Sequence, residues 1–147
     1  MRLLIIAACF LAGLGCTGTT PHVFIPDQNA TGGTGLEAIL AAHPLPPGQN
    51  IGVLALGHTE SCSYHLVQVR DREQPHLHAT HDLAVTVLQG TGRLYIRGEL
   101  RLMEAGDVAV VPRATPHYFV NTGAGPAAAF VVFAPPYDGK DQVPVEK

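Results

Sequence analysis

Short extended runs separated by glycine-rich turns fill most of this chain of 147 residues. Eight runs are rich in Val, Ile, Leu and aromatic residues, and they span residues 51–56, 64–70, 83–89, 93–96, 100–103, 108–111, 118–120 and 127–133. Glycines such as Gly90, Gly98 and Gly106 stand in the turns between them. Many short strands at such regular spacing predict an all-β sandwich or barrel.

A short helix precedes these strands. Residues 36–42 read LEAILAA, and the following HPLPPG contains prolines that cannot continue a helix. The length of the chain leaves room for one domain.

His76 and His78 form the first candidate site. Residues two apart on a strand point to the same face, so both imidazoles can reach one metal ion at about 2.0–2.1 Å. With eight histidines in the chain, such a pair also arises by chance. Taken alone, it favours a surface pair on an edge strand.

A second cluster lies at residues 106–121, GDVAVVPRATPHYFVN. It reads as a turn, a strand, a bend stopped by Pro112 and a further strand that begins at His117. The second cluster therefore predicts a strand that begins with an inward-facing histidine.

The two clusters resemble the paired motifs of the cupin family. The first family motif is His, any residue, His, three or four residues, Glu, six residues and Gly, and it matches at His76, His78 and Gly90. The second is Gly, five residues, Pro, any residue, Gly, two residues, His, three residues and Asn. It matches at Gly106, Pro112, His117 and Asn121, with Ala114 in place of the second Gly.

The resemblance covers about residues 50–135 and implies a cupin-type β-barrel, which is a double-stranded β-helix or jelly roll. It also implies a metal site on His76, His78 and His117. The family's glutamate falls on Leu83, which cannot bind a metal. The fourth ligand is therefore water, a shifted Asp82 or His81.

Three imidazoles suit one divalent transition metal ion. Zn, Fe, Ni and Cu fit such a shell, Mn fits less well, and Mg and Ca prefer oxygen ligands. An open fourth position is typical of catalytic metal sites.

Three other residues carry weaker signals. Glu73 reads as a solvated loop charge, His65 as a satisfied core histidine and Cys62 as an inert buried thiol.

The N-terminus indicates export. Arg2 precedes an apolar run over residues 3–14, and Gly15-Cys16 follows. This resembles the lipobox of bacterial lipoproteins, with lipidation at Cys16. Cys9 fits the box locally but leaves a very short apolar core, and an ordinary cleaved signal peptide is the alternative.

The expected organisation has three parts. Residues 1–15 form a lipoprotein signal peptide, residues 16–35 a flexible Thr- and Gly-rich tether and residues 36–147 the cupin domain. The protein would then sit in the bacterial cell envelope, anchored to a membrane by lipid, and either face the periplasm or belong to the outer membrane.

Charge and fold leave three hypotheses for function. The net charge of −3 without a basic cluster argues against nucleic acid as a partner. A small-molecule ligand or substrate is expected, and a homodimer is compatible with the fold. The protein is then a metal-dependent oxygenase or isomerase, a non-catalytic envelope protein that binds metal or a small ligand, or a metal-free structural cupin.

Overall fold

A computed structural model describes residues 20–24 and 34–146. One helix, α1, spans Leu36–Ala42. The strands are β1 His22–Val23, β2 Thr34–Gly35, β3 Ile51–His58, β4 Ser63–Val69, β5 His76–His78, β6 Asp82–Gln89, β7 Thr91–Ile96, β8 Glu99–Glu104, β9 Val108–Val111, β10 His117–Asn121, β11 Ala127–Ala134 and β12 Gln142–Pro144.

Ten of these strands form two sheets. One has the order β12-β5-β10-β7-β8 and the other the order β3-β4-β11-β6-β9. Every pairing within them is antiparallel. This is the jelly-roll arrangement of a cupin barrel, and it confirms the predicted fold class.

Alternation along β4 shows how the core is built. Val67 and Val69 line the cavity inside the barrel, whereas Leu66, which directly precedes Val67, packs against Leu36 and Ile39 of α1. Neighbouring residues of a strand point to opposite faces, so the helix covers the outer face of the β3-β4-β11-β6-β9 sheet. The inner face carries a separate cluster that includes Leu83 and Phe133.

The predicted elements agree closely with the structure. The helix and the strand at residues 108–111 have the predicted bounds, and the other predicted strands differ by at most two residues at either end. β12 escaped prediction because its three residues are all exposed and include Pro144.

The described part of the expected tether is more regular than predicted. His22 pairs with Gly35 and Val23 with Thr34, and the Leu36 amide donates a hydrogen bond to the Pro21 carbonyl at 2.9 Å. Val23 also packs against the α1 cluster. Residues 20–24 and 34–35 therefore pair with each other and contact the domain.

The proposed signal peptide and the lipidation site Cys16 lie outside the described residues. Within residues 20–24 and 34–146, no helix has the length and apolar character needed to cross a membrane.

Candidate metal centre

Two adjacent strands bring three histidines together. His76 and His78 lie on β5, and His117 begins β10 directly opposite His76 in the pairing register. The ring centroids are 4.4 Å apart for His76 and His117, 5.2 Å for His76 and His78 and 5.7 Å for His78 and His117. One ring nitrogen from each lies within 4.8 Å of the other two. This spacing brings all three within reach of a single ion.

Backbone carbonyls orient two of the three rings. His76 Nδ1 donates to the Gln74 carbonyl at 2.7 Å, and His117 Nδ1 donates to the Thr115 carbonyl at 2.9 Å. A hydrogen bond at Nδ1 fixes the tautomer and leaves Nε2 with its lone pair free for a metal.

Burial keeps two of the rings neutral. Burial, together with the neighbouring His76 imidazole, lowers the pKa of both His78 and His117 to about 4. Both side chains are therefore uncharged at neutral pH, which is the form that binds metal ions.

The residues present fit a divalent transition metal. Three buried imidazoles are the nitrogen donor set that such ions prefer over Mg or Ca. Among the described residues, buried His78 Nδ1 has no hydrogen-bond partner. Its nearest carboxylate oxygen, Oδ2 of Asp141, is 3.9 Å away.

Leu83 faces the cavity from β6, as the motif alignment predicts. The structure places Asp82 elsewhere. Asp82 Oδ2 pairs with the Arg113 guanidinium at 2.6 Å, its side chain is 43% exposed, and it does not belong to the histidine cluster. Hydrogen bonds from Arg113 hold its pKa at about 2. The expectation that Asp82 shifts into the fourth ligand position is therefore corrected.

His81 is also kept out of the cluster. Its Nδ1 is bonded to Asp141 Oδ2 at 2.5 Å, and its Nε2 lies 3.2 Å from the Pro136 carbonyl oxygen. The ring centroid is 6.5 Å from that of His78. With both nitrogens facing other partners, His81 supports the site from outside. Water in the fourth position stays a prediction.

The prediction that Glu73 is a solvated loop charge is wrong. It lines the cavity with the three histidines and is only half-buried as a residue, yet its carboxylate points inward. Glu73 Oε2 accepts a hydrogen bond from the Phe119 amide at 2.8 Å, and the Glu73 amide donates to the Phe119 carbonyl at 2.8 Å. Burial raises the pKa of Glu73, although the nearby His76 opposes the shift.

The sequence contains no clear signal for Glu73. It precedes β5 in an irregular segment, where neither strand nor helix periodicity predicts a side-chain direction. Only its pairing with Phe119 of β10 turns the carboxyl group inward.

The cavity beside the histidines lies between the two sheets and has a volume of about 190 Å³. Most of its lining is apolar, and Glu73 is the one carboxyl group among the described residues that line it. An ion on the three histidines would therefore face a small, largely apolar chamber.

His65 and Cys62 stand apart from this cavity. His65 is buried, as predicted, and its Nε2 lies 2.9 Å from Ser63 Oγ. Within the described part of the chain its buried Nδ1 has no hydrogen-bond partner, so the ring is satisfied only in part. Cys62 is a free, half-buried thiol at the end of the β3–β4 turn, and its Sγ is 3.1 Å from the Tyr64 hydroxyl. Cys62 is therefore less buried than predicted.

Two known proteins are similar in sequence to this chain. A protein of Aquifex aeolicus (strain VF5), itself uncharacterised, is 42% identical over 98 residues, which cover 67% of this chain and 80% of that relative. The structure of KdgF from Halomonas sp. matches with 29% identity and a TM-score of 0.58, covering 64% of this chain and 84% of KdgF.

A more distant structure shares the fold alone. Streptomyces Pac13, described as a nucleoside dehydratase, has 23% identity and a TM-score of 0.56, with 66% of this chain and 79% of Pac13 covered. The family model for the cupin domain matches residues 63–133, the segment that contains all three histidines and Glu73. The chain belongs to the cupin family.

Proposed function

We propose that this cupin is a metal-dependent enzyme that acts on a small molecule inside its barrel. One observation carries the proposal: three buried imidazoles and the carboxyl group of Glu73 line the same cavity. A site built only to store a metal has no need of an adjacent chamber and an acid–base group.

His76, His78 and His117 would hold the metal. When bound there, a divalent transition metal supplies a Lewis acid that polarises an oxygen of the substrate. Zn, Fe, Ni and Cu are the ions that suit this donor set.

Glu73 would move the proton. Burial raises the pKa of Glu73 toward neutral pH. A carboxyl group with a raised pKa can both accept a proton and return it. In the isomerisation of an α-hydroxy carbonyl compound, Glu73 would take the proton from the carbon that bears the hydroxyl group and return it to the original carbonyl carbon. The hydroxyl proton would pass to the original carbonyl oxygen, so that the carbonyl and hydroxyl groups exchange places. Of oxygenase and isomerase chemistry, this group favours the isomerase.

The first experiment measures metal content. The full-length protein should purify with, or take up, about one equivalent of a transition metal, and His117→Ala should lose most of the affinity because each ligand is needed to complete the shell. His58→Ala is the matched control, since His58 is exposed at the end of β3. Equal metal binding by the wild type and His117→Ala would contradict the proposal.

The second experiment separates catalysis from capture. Metal-loaded protein is incubated with a panel of small hydroxy and carbonyl compounds in deuterated water, and exchange or isomerisation is followed by NMR. Glu73→Gln should abolish proton exchange while leaving metal content unchanged. Metal and ligand binding without any exchange would instead identify a non-catalytic binding protein.

We also propose that Cys16 carries the lipid that anchors the protein in the bacterial cell envelope. The apolar run and the LAGLG-Cys16 sequence support this. In a cell fractionation, Cys16→Ser should move the protein from the membrane pellet to the soluble fraction, whereas Cys9→Ser should not. A wild-type protein that is already soluble after lysis would contradict the anchor.

A further inference from the structure

The polar and apolar parts of the cavity are segregated. Its polar lining residues lie on or beside β5 and β10, where Glu73 joins the three histidines and Gln142 pairs opposite His78. Phe133 and Tyr137 border this end, since each ring stands edge-on to His78. The metal-binding end therefore holds the hydrogen-bonding capacity of the chamber.

The rest of the chamber is hydrocarbon. Val69, Val87, Leu94 and Met103 contribute to its walls. A ligand that reaches into this part meets side chains that can neither donate nor accept a hydrogen bond.

Small residues on β11 provide the room at this apolar end. The strand begins Ala127-Ala128-Ala129, whereas Val131 and Phe133 occupy later positions of the same strand. The pairing of β11 with β6 shifts register between Ala128 and Ala129, and all three alanines line the cavity. Larger residues at these positions would fill the space that the alanines leave.

The volume restricts the size of the ligand. An engineered protein cavity of about 150 Å³ with apolar walls binds benzene. At about 190 Å³, this chamber has room for roughly six to ten non-hydrogen atoms.

The segregation also restricts the chemistry of the ligand. A sugar carries hydroxyl groups around its whole surface, and a nucleoside carries polar atoms on both its ribose and its base. Polar groups buried against the valine and alanine walls would lose their hydrogen bonds to water without replacement. A molecule with polar atoms at one end only avoids this cost.

We infer that the substrate is a small, largely hydrocarbon molecule, the size of one substituted ring, whose oxygen atoms lie at one end. The oxygens face the three histidines and Glu73, and the hydrocarbon body extends to Ala127–Ala129. This inference rests on the proposed function, because it describes the substrate of that same site.

The test compares two probes of similar size. Benzyl alcohol has the inferred character, and xylose is polar over its whole surface. Binding to the zinc-loaded, full-length protein is measured by NMR titration. Benzyl alcohol should bind at least 10-fold more tightly than xylose, and xylose binding as tightly as benzyl alcohol would overturn the inference.

A cavity-filling variant locates the bound ring. Ala129→Phe should weaken benzyl alcohol binding at least 10-fold and leave zinc binding intact. Val110→Phe is the control, because Val110 is 67% exposed on β9 and does not line the cavity. If Ala129→Phe does not fold, Ala129→Leu replaces it. Unchanged benzyl alcohol affinity in the folded variant would overturn the inference.

Zinc binding is measured first and separately. Failure of the wild type to bind zinc or any other transition metal would overturn the proposed function. Metal binding combined with a preference for xylose would overturn only the inference about the substrate.

Discussion

Asp141 and His81, which are 60 positions apart in the chain, are joined by a hydrogen bond of 2.5 Å between Oδ2 and Nδ1. The same carboxylate accepts a hydrogen bond from the Thr80 amide at 3.0 Å, and its side chain is only 9% exposed. Burial alone would raise the pKa of Asp141, but hydrogen bonds from His81 and Thr80 outweigh it and hold the pKa below its usual range. The C-terminal segment is thereby tied to the turn that follows β5 and His78.

Asp141→Asn should weaken metal binding about 10-fold, because residues that support metal ligands typically contribute 10- to 100-fold in affinity. The variant loses the charge that holds His81 and faces His78 Nδ1 at 3.9 Å. Competition with a chelating dye measures the affinity. Asp138→Asn in the same loop is the control, since Asp138 is exposed. Equal affinities for the wild type and Asp141→Asn would show that the hydrogen bond between Asp141 and His81 does not affect the metal site.

Asp82→Asn should leave metal affinity unchanged, because Asp82 pairs with Arg113 and not with the histidines. Its effect should be on the pH dependence of stability. The pKa of Asp82 is lowered to about 2 by the hydrogen bonds from Arg113, so the pair stabilises the folded state at higher pH and this contribution is lost as the pH falls toward 2.

The melting temperatures of the wild type and Asp82→Asn should therefore differ more at pH 5 than at pH 2.5. Arg113→Gln should reproduce the effect, and the double variant should add little to either single change. A large drop in metal affinity for Asp82→Asn would instead show that Asp82 is a metal ligand.

The metal-free protein should lose stability as the pH falls from 6.5 to 4. His78 and His117 have pKa values of about 4 in the folded state, below the ordinary value of 6.5, so the unfolded chain binds protons first. At about 1.4 kcal/mol per pKa unit, and with a discount for partial solvent contact, the expected loss is about 2–4 kcal/mol.

Urea unfolding in the presence of a chelator at the two pH values measures this loss. His117→Gln should lose markedly less stability than the wild type over the same range, whereas exposed His58→Gln should behave like the wild type. A stability that does not change between the two pH values would contradict the burial argument.

Ala114→Gly should raise the stability by about 1 kcal/mol. Ala114 stands where the family motif has glycine and adopts φ +57°, a left-handed conformation that is strained for residues with a Cβ atom. Its amide donates to the His78 carbonyl at 2.6 Å, so this strained turn joins the two motifs. Thermal unfolding measures the change. Ala38→Gly, on the exposed face of α1, is the control and should lower the stability by a similar amount. A loss of stability in Ala114→Gly would show that the turn is not strained.

Local patterns determined much of this protein. The alternation and turn residues predicted the strands and the jelly roll, since side-chain direction along a strand follows from a period of two. The same period put His76 and His78 on one face. The spacing of the two motifs also predicted that His117 joins this pair and that Leu83 points into the cavity.

Tertiary contacts decided the surroundings of the histidines. Glu73 turns inward because it bonds to Phe119, 46 positions later in the sequence, and Asp82 turns outward because it pairs with Arg113, 31 positions later. His81 is held by Asp141 from a segment whose exposed residues give no strand pattern. The size and polarity of the cavity arise only when both sheets close over it. These features depend on contacts between residues that are far apart in the sequence. The periodicity of side chains along the chain carries no information about such contacts.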